Sequence, residues 1–246
     1  NTQGNREQLL TSFPWLPPER VRVLPNGYDP ALREALAAVR RLPRADGRRE
    51  VLYAGHVYAG GAGIMDALAA LLALDPSLPR RVLFRFVGSL DAPAAERARP
   101  LQAAGLVSCE PPVPAHAVPA LLARADALLY CVPPAGRHWI PSKLYDELVA
   151  RRPVLAVLPR GDAWDVLARA GVSTLIEDLG PTRVAHELRD ALARLLDGTL
   201  LMRPDEVFIA RFDARAQTAQ LAAWLRELAV RAAPAEPELV PPGGAA

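Results

Sequence analysis

The sequence predicts an α/β fold, a Rossmann-like parallel sheet with helices on both faces. Two observations carry this. Short apolar runs alternate with longer helix-period stretches along most of the chain. The runs are near-continuously apolar, as in ALLYCV at 127–132 and VLAVL at 154–158, which marks strands buried on both faces.

Taken in order, residues 21–24 predict a brief strand that ends at the Pro25-Asn26-Gly27 turn signal. A strand at 51–54 closes on Gly55 and leads into a helix at 64–73, with Ile64, Leu68, Leu71 and Leu72 on one side. A strand at 82–87 closes on Gly88-Ser89. A helix at 94–104, a strand at 106–109 and a short helix at 118–125 follow. The pattern then gives a strand at 127–132, a helix at 141–151, a strand at 154–158, a helix at 163–170 and a strand at 173–176. Helices at 183–196 and 214–230 complete it, the last carrying Leu221, Leu225 and Leu228. Residues 1–20, with a helix-like piece at 6–12 and a Pro-Trp-Leu-Pro-Pro break, read as the end of a preceding unit. Residues 21–230 form the domain, and the Pro/Ala/Gly-rich residues 231–246 form a disordered tail.

Composition narrows the function. The 246 residues are 51% hydrophobic and 23% charged, which excludes wholesale disorder. No uncharged apolar run reaches the roughly 18 residues of a membrane span. The 29 basic and 27 acidic residues leave a net charge of +2, too balanced to indicate a nucleic-acid binder. Cys109 and Cys131 lack metal-type spacing and exclude a disulfide scaffold. No His/Asp/Glu set has metal-ligand spacing, and no Gly-x-Ser-x-Gly elbow is present. Of the basic residues 28 are Arg, a bias attributed to codon composition, and one is Lys, at Lys143.

In parallel sheets ligands bind beyond the carboxyl ends of the strands. Two such stretches carry chemistry. Gly55-His56-Val57-Tyr58-Ala59-Gly60-Gly61-Ala62-Gly63 lies between a strand and a helix, where glycines let backbone N–H groups approach an anion. It matches neither a dinucleotide fingerprint nor a P-loop, and a plain flexible turn is the alternative. Gly136-Arg137-His138-Trp139-Ile140-Pro141-Ser142-Lys143-Leu144-Tyr145-Asp146-Glu147 joins a strand end to a helix that begins near Pro141, with Pro141 in the first turn or Ser142 as N-cap. Leu144 and Leu148 face the core. Lys143, Asp146 and Glu147 cluster on the other side, a cation for a phosphate and carboxylates for ribose hydroxyls, or an ordinary surface ion pair. Trp139 and Trp164 are expected at the ligand edge, His116 ahead of a helix, and His186 in no role.

Together these pieces resemble the carboxyl-terminal, donor-binding domain of family 4 glycosyltransferases, which have the two-Rossmann GT-B architecture. Residues 22–29 (RVLPNGYD) look like the family's V-x-V-I-P-N-G-x-D passage between its two domains. Residues 120–130 (ALLARADALLY) look like its L-L-A-x-A-D pattern, and residues 141–156 (PSKLYDELVARRPVLA) like its P-x-K-L-x-E-Y-L-A-x-G-x-P-V-L-A helix and strand. The likeness runs from about residue 20 to 230.

The resemblance implies a bacterial, cytoplasmic glycosyltransferase, retaining and metal-independent, with or without attachment to the cytoplasmic face of a membrane. Its substrate is a nucleotide diphosphate sugar, no cofactor is needed, and the acceptor (glycan, lipid-linked or small molecule) and catalytic base belong to the other domain. Carried over by position, Gly55, His56, Gly60 and Gly61 face the diphosphate or sugar. Gly88, Ser89 and Val113 flank the base. Ser142 and Lys143 meet the diphosphate, and Asp146, or Glu147 beside it, holds the ribose. His138 stands where the family has a Glu on the transferred sugar, and His56 where it has an Arg. Two alternatives stay open: a non-catalytic nucleotide-sugar binding module, and a nucleotide-sugar epimerase of the same architecture, for which His138 is the candidate.

Overall fold

The computed structural model describes residues 1–40, 44–57 and 62–232. Gly60, Gly61 and all but the first two residues of the predicted tail lie outside the described residues.

Six parallel strands form one sheet: β1 (Arg49–Ala54), β2 (Val82–Val87), β3 (Val107–Glu110), β4 (Ala127–Cys131), β5 (Val154–Leu158) and β6 (Ser173–Glu177). Their spatial order is β3-β2-β1-β4-β5-β6. Ala54 pairs with Val87 on one side of β1, and Leu52 with Leu128 on the other. The chain leaves β1 toward β2 and leaves β4 toward β5, so the connections part between β1 and β4. That reversal opens a crevice at the strands' carboxyl ends.

Alternation along each strand supplies two cores. Val51, Tyr53, Phe84, Phe86, Leu129 and Leu155 pack under helices α3 (Ala62–Leu74), α4 (Ala92–Ala103) and α8 (Pro181–Leu196). Leu52, Leu128, Tyr130, Val154, Ala156 and Leu158 pack with helices α5 (Val118–Arg124), α6 (Lys143–Val149), α7 (Asp162–Ala170) and α9 (Glu206–Ala210). Every residue of β5 is buried, as its unbroken apolar run requires. Where the second face crosses β1 to β3 it carries charge. Glu50, 5% exposed, receives Arg44 at 2.7 Å and Arg85 at 3.5 Å, and Arg85 grips Glu110 with two hydrogen bonds of 2.7 and 2.6 Å.

Several elements differ from the sequence expectation. Residues 21–24 form no strand. The Val21 carbonyl accepts a hydrogen bond from the Arg6 guanidinium at 2.8 Å. Arg22 reaches Glu227 at 2.8 Å and lies over the Trp224 ring, both on α10 (Ala214–Ala232). The helix-like piece at 6–12 is helix α1 (Gln3–Ser12), started by Thr2, whose hydroxyl accepts the Asn5 N–H. Helix α2 (Pro30–Ala38) was not anticipated, although its signals are present: Asp29 as a side-chain N-cap and Pro30 at the first helical position. The five-residue α9 is too short to show a helical period. Leu221, Leu225 and Leu228 on α10 are exposed.

Helix α6 is shorter than expected at both ends. Ser142 stands at the N-cap position in helical conformation without a side-chain capping bond. After Ala150, Arg151 adopts φ 53°, the left-handed conformation in which glycine usually ends a helix. An L side chain there costs roughly 1–2 kcal/mol, and the exposed Arg151–Glu206 pair at 2.9 Å returns little of it. Arg151→Gly is therefore expected to raise Tm by about 1–4 °C, since roughly 1 kcal/mol moves a chain of this size by 2–4 °C. A thermal melt that falls instead would show that the arginine's contacts outweigh its backbone strain.

Candidate functional site

Backbone geometry shapes the crevice first. Gly55 follows β1 with φ 131° and Gly88 follows β2 with φ 149°, both in the region that favours glycine. A Cβ on Gly88 would run into the Gly55 carbonyl oxygen. Their amides are already used: Gly55 N–H donates to the Val87 carbonyl at 2.9 Å, and Gly88 N–H to the Glu110 carbonyl at 3.0 Å. These glycines thus extend the sheet ladder and let two backbones pass closely, and do not offer N–H groups to an anion as the sequence suggested. His56 Nδ1 lies 2.5 Å from Ser89 Oγ, which ties the two turns together.

Two adjoining cavities share Ala54, Gly55, His56 and Lys143. The smaller, about 310 Å³, is lined by Gly88, Ser89, Val113, Asp146 and Glu147, with an apolar wall from Val87, Val118, Leu121 and Leu122. The larger, about 550 Å³, is lined by Tyr53, Trp139, Ser142, Asn1 and Asn5. The described candidates therefore gather round one crevice, His138 excepted.

His138 lines neither cavity. Its Nδ1 lies 3.1 Å from the Asp162 carboxylate, and its carbonyl accepts the Thr2 hydroxyl at 3.0 Å. Asp162 also accepts the Gly4 N–H at 3.0 Å. The histidine is the seat of helix α1, while its neighbour Trp139, 50% exposed, meets the larger cavity. Trp164 also lies away from both cavities, stacked under the Arg160 guanidinium at 4.0 Å.

At the junction of the cavities, Lys143 Nζ sits 3.3 Å from the centroid of the Tyr53 ring and 5.5 Å from that of Tyr130. The atom is buried and has no hydrogen-bond partner among the described residues; the same is true of Glu147 Oε2 and the Tyr130 hydroxyl. Burial lowers the Lys143 pKa, against the pull of Glu147. Burial pushes Glu147, 2% exposed, up to about 8, moderated by Lys143 and reinforced by Asp146. Burial, then the charge of Asp29, pushes Asp146 up to about 6. The Lys143–Glu147 combination is thus a sealed feature of the crevice floor and not a surface ion pair.

Sequence reasoning missed Tyr53, Tyr130, Asn1 and Asn5. The tyrosines read as ordinary strand residues, and only the β1–β4 adjacency brings them to the lysine. Asn5 lies on helix α1 and Asn1 just ahead of it, in the stretch that was read as the end of a preceding unit.

No protein-family model matches the sequence, and comparison with curated proteins gives no match. Solved structures do match in fold. An α,α-trehalose 6-phosphate synthase from Burkholderia multivorans superposes with a TM-score of 0.60 at 17% identity over 85% of this chain and 51% of its own. A sucrose-phosphate synthase from Thermosynechococcus elongatus gives 0.63 at 17% identity over 93% and 57%. A UDP-GlcNAc 2-epimerase from Neisseria meningitidis, bound to UDP-GlcNAc, gives 0.59 at 14% identity over 92% and 60%. The chain therefore shares the Rossmann-like fold of one half of these proteins and spans about half to three fifths of their length. Among the described residues, no helix is long and apolar enough to cross a membrane, and no group of three or more His, Cys, Asp or Glu side chains is placed to hold a metal ion.

The Gly55–Gly88 contact sets the first wall of the crevice. Gly88→Ala is expected to lower stability by about 2 kcal/mol or more, through left-handed strain and collision with backbone. Chemical denaturation checks this, and an unchanged midpoint would show that the two turns can separate freely.

Proposed function

We propose that this chain is the nucleotide-sugar-binding half of a GT-B glycosyltransferase, which transfers a hexose or related sugar from a nucleotide diphosphate to an acceptor held by a second half. The observation that carries the reading is the position of Lys143, the chain's one lysine, at the β1–β4 switch point between two cavities. In this reading the nucleoside takes the smaller cavity, with its base along the Val113 wall and its ribose beside Asp146. The diphosphate lies at the junction, against Gly55, His56 and Lys143. The sugar enters the larger cavity, near Ser142 and Trp139.

The chemistry follows from that arrangement. As the sugar leaves, negative charge collects on the departing diphosphate, and a cation fixed in a water-poor crevice stabilises it without reorganising. The Lys143 ammonium has no hydrogen-bond partner among the described residues, so its donors are available to the phosphate oxygens. The retaining course, the absence of a metal requirement and a cytoplasmic setting belong to the same reading. The fold shared with sugar-phosphate synthases supports it.

The likeness to the Neisseria epimerase supports a second reading, epimerisation of a nucleotide sugar. The engagement of His138 with Asp162 and α1 weighs against that histidine as its acid or base. Incubation of the full-length protein with UDP-GlcNAc and no acceptor decides between them: an epimer would replace the transferase reading.

Calorimetric titration with UDP, GDP, ADP and dTDP tests the site. At least one should bind, and no heat at millimolar concentration from any of them would refute the reading. Lys143→Ala should weaken the diphosphate by about 10–100-fold, the worth of a hydrogen bond to a charged group, and the matching nucleoside far less. Equal losses would refute the phosphate role.

A further inference from the structure

The crevice floor holds an arrangement that the transfer reaction does not require. Glu147 lies one helical turn behind Lys143, and both line the smaller cavity. No hydrogen bond joins them, and Glu147 Oε2, Lys143 Nζ and the Tyr130 hydroxyl are all buried without a hydrogen-bond partner among the described residues. Around them stand Tyr53 from β1, Tyr130 and Cys131 from β4, Asp146 from α6 itself and the apolar Val118, Leu121 and Leu122 from α5. Asp29, ahead of α2, acts on Asp146. Within this group Glu147 is the buried carboxyl placed to neutralise the lysine from behind.

We propose that Glu147 is a positioning residue that regulates the site: its proton decides how much of the Lys143 charge an entering nucleoside diphosphate meets. The proposal rests on the diphosphate reading above. With Glu147 protonated, the charge that Lys143 keeps against the lowering effect of burial is uncompensated and attracts the phosphates. With Glu147 ionised, the two form a neutral buried pair, and the phosphates lose most of that attraction.

The direction of the pH dependence is fixed by linkage. In the empty site Glu147 holds its proton up to about pH 8, chiefly because it is buried. A bound diphosphate is a nearby anion and raises that value further. Binding is therefore strongest below the empty-site value and weakens as pH rises through the bound-site value, with a proton taken up on binding in between. Of the neighbouring groups, Asp146 titrates near 6 and Cys131 near 12, a phosphate's second ionisation lies at about 6, and burial lowers the pKa of Lys143 itself.

The experiment titrates the chain with UDP, ADP, GDP and dTDP, and with the matching nucleosides, from pH 7 to pH 9. The nucleosides share any titration of the bases. For the wild type, affinity for the diphosphate relative to its nucleoside should fall about fivefold over this range, towards the tenfold limit that one unit of difference in proton affinity between empty and bound sites sets. Glu147→Gln copies the protonated acid. It should bind at every pH as the wild type binds at pH 7, with no slope. Calorimetry near pH 8 in two buffers of different ionisation heat should show proton uptake for the wild type and none for Glu147→Gln. Diphosphate binding without a pH slope, or a slope kept by Glu147→Gln, would overturn this proposal and leave the site reading intact. Failure of every diphosphate to bind at any pH would overturn both.

Discussion

The crevice depends on one contact, the Lys143 ammonium against the face of Tyr53. Removing a charged amine from water without a hydrogen bond is expensive. The aromatic quadrupole recovers part of that loss, and more so when the cation is desolvated. The tyrosine does a second job, since its hydroxyl donates to the His56 carbonyl at 2.8 Å and so fixes the turn that leaves β1. One ring thus sets both the lysine from α6 and the glycine turn from β1. Its position follows in turn from sheet order, because only strands β1 and β4, adjacent and feeding opposite directions, leave a gap wide enough for a helix start to present a side chain from above.

The sheet was legible in the sequence because burial on both faces leaves an unmistakable mark. The 82–87 and 154–158 runs were read to the residue, and the other four strands of the sheet to within two residues at either end. The error at residues 21–24 has a specific cause: an apolar run predicts burial, but not a neighbouring strand, and here the Arg6 side chain takes the Val21 carbonyl instead. The candidate residues were legible for a different reason. Parallel topology sends all strand ends to one edge, so choosing residues just after strands selects the crevice without knowledge of side chains. What sequence could not supply was depth. Lys143 and Glu147, four apart, look the same whether they pair on a surface or sit sealed beside Tyr130. Nor could it distinguish His138, turned toward Asp162, from Trp139, turned toward the larger cavity.

Helix α1 shows how a local rule places a distant element. Gly4 lies so close to His138 and Asp162 that a Cβ would meet both side chains, and its N–H donates to the Asp162 carboxylate. Thr2 starts the helix with its hydroxyl oxygen while donating to the His138 carbonyl at 3.0 Å. A small residue and a capping residue, both ordinary at a helix start, together seat the helix on the rim. Asn1 and Asn5 then add amide groups to a cavity whose other lining includes Tyr53, Val132, Trp139 and Ile140 along with His56, Ser142 and Lys143. The two cavities thereby differ in character: the smaller has carboxyl groups and an apolar wall, the larger aromatic and amide groups.

The charged cluster on the sheet contrasts with the one that helix α6 brings to the switch point. Around Glu50 the carboxylate meets Arg44 and Arg85, and Arg85 meets Glu110 in a two-pronged grip, so each member has a partner. Such a network locks geometry. Around Glu147 three polar atoms are buried without a hydrogen-bond partner among the described residues. Stability does not account for that, because replacing a buried charged pair with apolar side chains of similar volume is often neutral or favourable by roughly 1–4 kcal/mol. The two clusters also sit at different places: the satisfied one spans β1 to β3, the unsatisfied one lies at the switch point beneath both cavities. A buried group with an open hydrogen-bonding position on the floor of a crevice is arranged to gain its partner from what enters, and the lysine and carboxyl are set to respond to the same arriving charge.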